Sequence, residues 1–130
     1  MEHTNKEESS LNQVHIDFNY WSQGDTEGYG KSAADDVTFY NNSSAGPRVN
    51  GIKAFRKLLT SWQGQIPPHN YKIVDPKIQV YGNVGIFTLQ YHAFMPDGQL
   101  ATQGRGTIVY RQAGDLWEMV HAHWSTLDET

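Results

Sequence analysis

The chain changes character once, and that change constrains its fold more than any single residue does. Before Pro68 most apolar residues recur at helical spacing. From Tyr71 onward they fall in four β-rich runs, at residues 71–81, 84–95, 99–111 and 117–125. Gly-Asn, Pro-Asp-Gly and Ala-Gly-Asp turns separate these runs, as in an antiparallel meander. Helices first and sheet afterwards predict an α+β domain in which helices cover one face of the sheet.

In the front half Leu11, Val14, Phe18 and Trp21 share one face of an amphipathic helix, with Ser9 and Ser10 as candidate caps and Gly24 as its stop. Asp25 stands at the N-cap of a short second helix weakened by Gly28 and Gly30. Val37–Tyr40 reads as a strand running into a polar loop. Ile52, Phe55, Leu59 and Trp62 then repeat the helical spacing until Gly64, Pro67 and Pro68 end it. We expect residues 1–8 to form a flexible tail and residues 9–127 a single domain, since 130 residues suit one core.

The formal charge of -4 and the scattered Lys and Arg give no footprint for nucleic acid. The chain lacks cysteine, so thiol chemistry is excluded. Its polar, acidic start does not resemble a signal peptide and no run approaches a membrane span, so a cytoplasmic protein is expected, with no membrane partner. There is no glycine-rich phosphate loop and no convincing ligand cluster, so no cofactor and no metal are expected. His121 and His123 lie two apart on a strand, a spacing that metal sites sometimes use. No third ligand is in register with them, which favours a place in the sheet's outer face.

Several pieces carry a resemblance that spans nearly the whole chain. They are the Gly24-Asp25 turn, the stretch from Ala34 to Tyr40, Gly51 opening the third helix, the Asp75-Pro76 step and Gly82. Thr107-Ile108-Val109-Tyr110-Arg111 precedes an Ala-Gly-Asp hairpin, and the run from Trp117 to Ser125 follows it. In order and spacing they resemble the SnoaL-like, nuclear-transport-factor-two-like superfamily, and within it the calcium/calmodulin-dependent protein kinase association domain. The resemblance implies a cone-shaped, cystatin-like fold. A curved antiparallel sheet wraps about three N-terminal helices, a pocket lies in the cone, and the convex face is commonly buried between subunits. A homodimer or larger homo-oligomer is therefore expected, and no kinase activity is implied.

Strand alternation, anchored on that resemblance, assigns faces. The association domain carries pocket arginines at the positions matching Trp124 and Ile108 and at Gln90 or His92, and a histidine at Phe55. By this register Ala122, Trp124, Val120, Gly104, Gly106, Ile108 and Tyr110 look inward, and Gln90 and His92 share the pocket face. With Tyr40, Asn41, Phe55 and Trp62 they make the candidate pocket. Phe87, Leu89, Tyr91, Arg105, His121 and His123 make the candidate oligomer interface. With the arginines gone, the pocket suits an unidentified small molecule that is largely neutral.

Relatives in fold also imply chemistries. The base of the ketosteroid isomerases maps onto Asn41 or Asn42, and an amide cannot be a base, so that mechanism is rejected. A dehydratase, isomerase or cyclase would use His92 with Asp17 or a tyrosine. Asp17, however, sits at the edge of the first helix's apolar face, where exposure to solvent is expected. A third possibility is an oligomerisation module like the association domain.

Overall fold

The computed structural model describes residues 2–41 and 46–127, and the side chains of these from residue 6 onward. Asn42, one of the two candidates for the isomerase base position, lies outside the described residues. Helix α1 spans Glu2–Ser22, α2 Thr26–Tyr29 and α3 Ile52–Trp62. The strands are β1 Ala33–Asn41, β2 Val49–Asn50, β3 Asn70–Tyr81, β4 Val84–Phe94, β5 Leu100–Ala113 and β6 Leu116–Thr126. They form one sheet in the order β2-β1-β6-β5-β4-β3.

The meander β3–β6 is antiparallel as the turns predict, but β1 joins the far edge of β6 in parallel, so the sheet is mixed. α1 lies against β3, β4 and β6, and α3 lies against β1. The sheet curves around them, giving the cone-shaped α+β fold. No described helix is long and apolar enough to cross a membrane.

Local chemistry explains most boundaries. Asp25 caps α2 by accepting from the Gly28 amide at 2.9 Å. Gly51 adopts a φ of 88° at the start of α3, a conformation that glycine takes without a Cβ penalty. Ser9 and Ser10 are not caps. The helix begins at Glu2, so residues 2–8 are helical, and Ser10 Oγ donates back to the Lys6 carbonyl at 2.7 Å inside the helix. The Asp75-Pro76 step is a bulge in β3, where the pairing with β4 slips between Val74 and Lys77 and Asp75 takes a φ of 51°.

The core fills the concave side. Val14, Phe18, Tyr29, Val37, Phe55, Leu59, Phe87, Ile108, Tyr110, Met119 and Ala122 are all buried there. Two strand phases differ from expectation. On β4 the residues alternate strictly, with Gly85, Phe87, Leu89, Tyr91 and Ala93 buried and their neighbours half-buried. Phe87, Leu89 and Tyr91 therefore pack inward and cannot form an outer interface, and Gln90 and His92 occupy the opposite face. On β6 the pairing with β5 slips at Val120, so Met119 and Ala122 are both buried and Val120 is only half-buried.

Candidate functional site

A cavity of about 450 Å³ opens at the wide end of the cone. Its inner wall is aromatic: Phe18 and Trp21 from α1, Tyr29 from α2, Trp62 from α3, Tyr91 from β4 and Trp124 from β6. Exposed Ala101, Thr102 and Thr126 stand at its mouth. None of the lining residues is Asp, Glu, Lys or Arg. A charge placed against these walls would lose hydration with no Asp, Glu, Lys or Arg of the lining to pair with it.

The wall is a network of ring contacts. Phe18 meets Tyr91 edge-on at 5.0 Å between centroids and Trp124 at 5.8 Å, and Trp21 meets Tyr29 at 5.3 Å and Trp62 at 6.1 Å. Gly106 makes room for Trp124: a Cβ at that position would collide with the indole ring. Trp124 Nε1 donates to Tyr29 Oη at 3.3 Å.

His69 enters the cavity from the loop before β3 and is tied at three points. Its amide donates to the Ser22 carbonyl at 2.8 Å, Nδ1 lies 2.8 Å from the Pro67 carbonyl oxygen, and Nε2 lies 2.7 Å from Tyr91 Oη. Tyr91 is further held by stacking on Tyr71, with centroids 5.2 Å apart and planes 9° apart. Burial raises the Tyr91 phenol well above its usual range, so it stays protonated.

Asn41, Trp62 and Trp124 line this cavity. Phe55, Ile108, Tyr110 and Ala122 also face the concave side but are buried in the core at the closed end, outside the lining. Tyr40 projects from the outer face, 39% exposed, with its ring 5.2 Å from His123 and 6.1 Å from His121. Gln90 and His92 are likewise outside the cavity and bond to each other, Nε2 to Oε1, at 2.9 Å. Of the expected interface residues, Arg105, His121 and His123 do lie on the outer face. His121 Nδ1 meets the Thr38 hydroxyl at 2.8 Å, and burial chiefly lowers its pKa, with His123 adding to the effect.

Asp17 reverses the expectation of exposure. It is 1% exposed, and its carboxylate accepts from Tyr110 Oη at 2.6 Å, Ser32 Oγ at 2.9 Å and Gln13 Nε2 at 3.1 Å. Burial pushes its pKa up to about 6 against the opposing effect of these donors. His92 points away from it across the sheet, so the Asp17–His92 pair does not form, and Asp17 does not line the cavity.

The sequence from residue 12 to 129 matches the family model of the SnoaL-like domain, and the chain belongs to that family. No curated protein matches it. Among solved structures it is similar to an NTF2-like protein of unknown function from Pseudomonas putida, at 18% identity and a TM-score of 0.82 over 98% of this chain and 90% of that one. The hub domain of the calcium/calmodulin-dependent kinase CaMKII from S. rosetta is 23% identical, with a TM-score of 0.72 over 92% and 95% of the two chains. A protein from Parabacteroides distasonis described as a putative ketosteroid isomerase is 20% identical, with a TM-score of 0.74 over 88% and 85%. At these identities the likeness concerns the fold.

Proposed function

We propose that this protein binds a small, uncharged, largely apolar molecule in the aromatic cavity. The observation that carries this reading is the lining itself: a space of about 450 Å³ walled by Phe18, Trp21, Tyr29, Trp62, Tyr91 and Trp124, with no Asp, Glu, Lys or Arg in the lining. Its size falls within that of ordinary small-molecule sites, and its few polar groups are of the kind that fix orientation. The test is thermal stabilisation by a panel of neutral aromatics, lactones, hydroxy ketones and small carboxylates. Neutral members should raise the midpoint of the wild type and lose that effect in Trp124→Ala. Stabilisation by the carboxylates alone would contradict the reading.

A second reading, compatible with the first, is self-association through the outer face of the sheet. It is favoured by the likeness to the CaMKII hub and by an outer face on which the rings of Tyr40, His121 and His123 cluster, with Tyr40 and His123 exposed. Light scattering should give a dimer or larger species, and a monodisperse monomer would remove this reading.

A further inference from the structure

Two tyrosines of the cavity wall have a definite hydrogen arrangement. The carbonyl of Pro67 can only accept, so His69 Nδ1 carries the hydrogen and Nε2 of the neutral ring is a bare acceptor. Tyr91, 2.7 Å away, must then donate its single hydrogen to Nε2. Only lone pairs remain on Tyr91 Oη, so toward the cavity this hydroxyl accepts and does not donate. Tyr29 is its complement. Its Oη accepts from Trp124 Nε1 at 3.3 Å, and its own hydrogen meets no acceptor among the described residues although the side chain is buried. One wall thus offers a donor and another an acceptor, within a mostly apolar lining whose other polar members are Asn41, Thr102, Gln103, Ser125 and Thr126.

We propose that Tyr91, set by His69, makes the cavity select neutral aromatic or alicyclic ligands that carry a hydroxyl group, whose hydrogen is donated to Tyr91 Oη. The proposal rests on the reading of the cavity as a small-molecule site and names the class of molecule it takes. A ligand oxygen that only accepts, as in an ether or a ketone, can be served by Tyr29 but brings no donor to the lone pairs of Tyr91 Oη. A hydroxyl can satisfy Tyr91 as well. The discrimination should be that of one hydrogen bond, about five- to tenfold in affinity.

Titration calorimetry at about pH 8, where imidazole is neutral, compares naphthol, naphthyl methyl ether and naphthyl methyl ketone. The wild type should bind naphthol about five- to tenfold more tightly than the ether. In Tyr91→Phe that gap should close by loss of naphthol affinity, with the ether unchanged. In His69→Phe the hydrogen of Tyr91 is released from Nε2, so the ketone should gain several-fold, a change that a merely structural role for His69 would not produce. Should His69→Phe fail to fold, the Tyr91→Phe comparison still decides. Equal binding of naphthol and ether by the wild type, or a gap that survives Tyr91→Phe, overturns hydroxyl selection while leaving the cavity reading intact. Failure of all three probes to bind overturns the cavity reading, and this proposal with it.

Discussion

The two ends of the cone hold the same chemical device in different settings. At the closed end the Tyr110 hydroxyl bonds Asp17 with both side chains sealed, and at the open end the Tyr91 hydroxyl bonds His69 in the wall of the cavity. The first pair offsets the burial of a charge and offers nothing to a ligand. The second satisfies one lone pair of a wall that still has hydrogen-bonding capacity to use. Within one small core, then, a buried tyrosine is structural or ligand-facing according to whether its oxygen has a free side toward a cavity. Its residue type does not decide the matter.

The largest effect that should separate the two ends is a pH dependence confined to the closed one. The pKa of Asp17 is raised from 3.8 to about 6 by burial, so the folded state binds the proton more tightly than the unfolded chain does. Its contribution is fully present below pH 3.8 and is lost as the pH rises through about 6. Over that window the wild type should lose about 3 kcal/mol relative to Asp17→Asn, which has no charge to bury. Urea unfolding of both proteins across the window measures it, and a constant difference would mean that Asp17 is not strained by burial.

Tyr110→Phe should come next, costing about 2 kcal/mol near neutral pH, because it leaves a buried carboxylate short of a donor. Tyr91→Phe should cost only about 1 kcal/mol, since the bond it breaks is neutral and lies beside a cavity that water can reach. If the two values were reversed, the assignment of structural and ligand-facing tyrosines would be reversed with them. Gly106→Ala should cost about 1–3 kcal/mol by forcing Trp124 off the sheet. Unlike Tyr110→Phe, it should also shift the tryptophan emission and weaken ligand binding. The smallest effect is expected for His92→Ala. On the outer face, with Gln90 as its partner, it should change stability by less than about 0.5 kcal/mol and leave binding untouched.

The helices, the meander and the family were legible because their signals are local. Phe18 and Trp21 follow Val14 at helical spacing, and the Gly-Asn and Pro-Asp-Gly turns mark strand ends whatever lies across the sheet. The faces of β4 follow the strand's own pattern and not the arginine position carried over from the resemblance. Phe87, Leu89, Tyr91 and Ala93 form an apolar alternation that by itself points inward. Val120 could not be placed from spacing alone, since one extra residue in β6 reverses the phase on either side of it. The sequence points Asp17 to solvent because a carboxylate on a helix edge is ordinarily exposed. Its burial depends on Tyr110, far away in sequence, and on Ser32 in the turn before β1. His69 had no signal at all: it follows the two prolines that end the third helix's pattern, and only the pairing of β3 with β4 brings it to Tyr91. Trp62 and Trp124 were found by size and face, which is why the aromatic wall was partly visible and its polar anchor was not.

The central claim is that the cavity holds an uncharged molecule, and the tryptophans in its wall report on it directly. Titrating the wild type with naphthol and with naphthoate, and following tryptophan emission, compares a neutral and an anionic ligand of nearly the same shape. Saturable quenching by naphthol is expected, with naphthoate bound more weakly by at least about tenfold, because no Lys or Arg in the lining offsets the buried carboxylate. Naphthoate binding as tightly as naphthol, or more tightly, would contradict it.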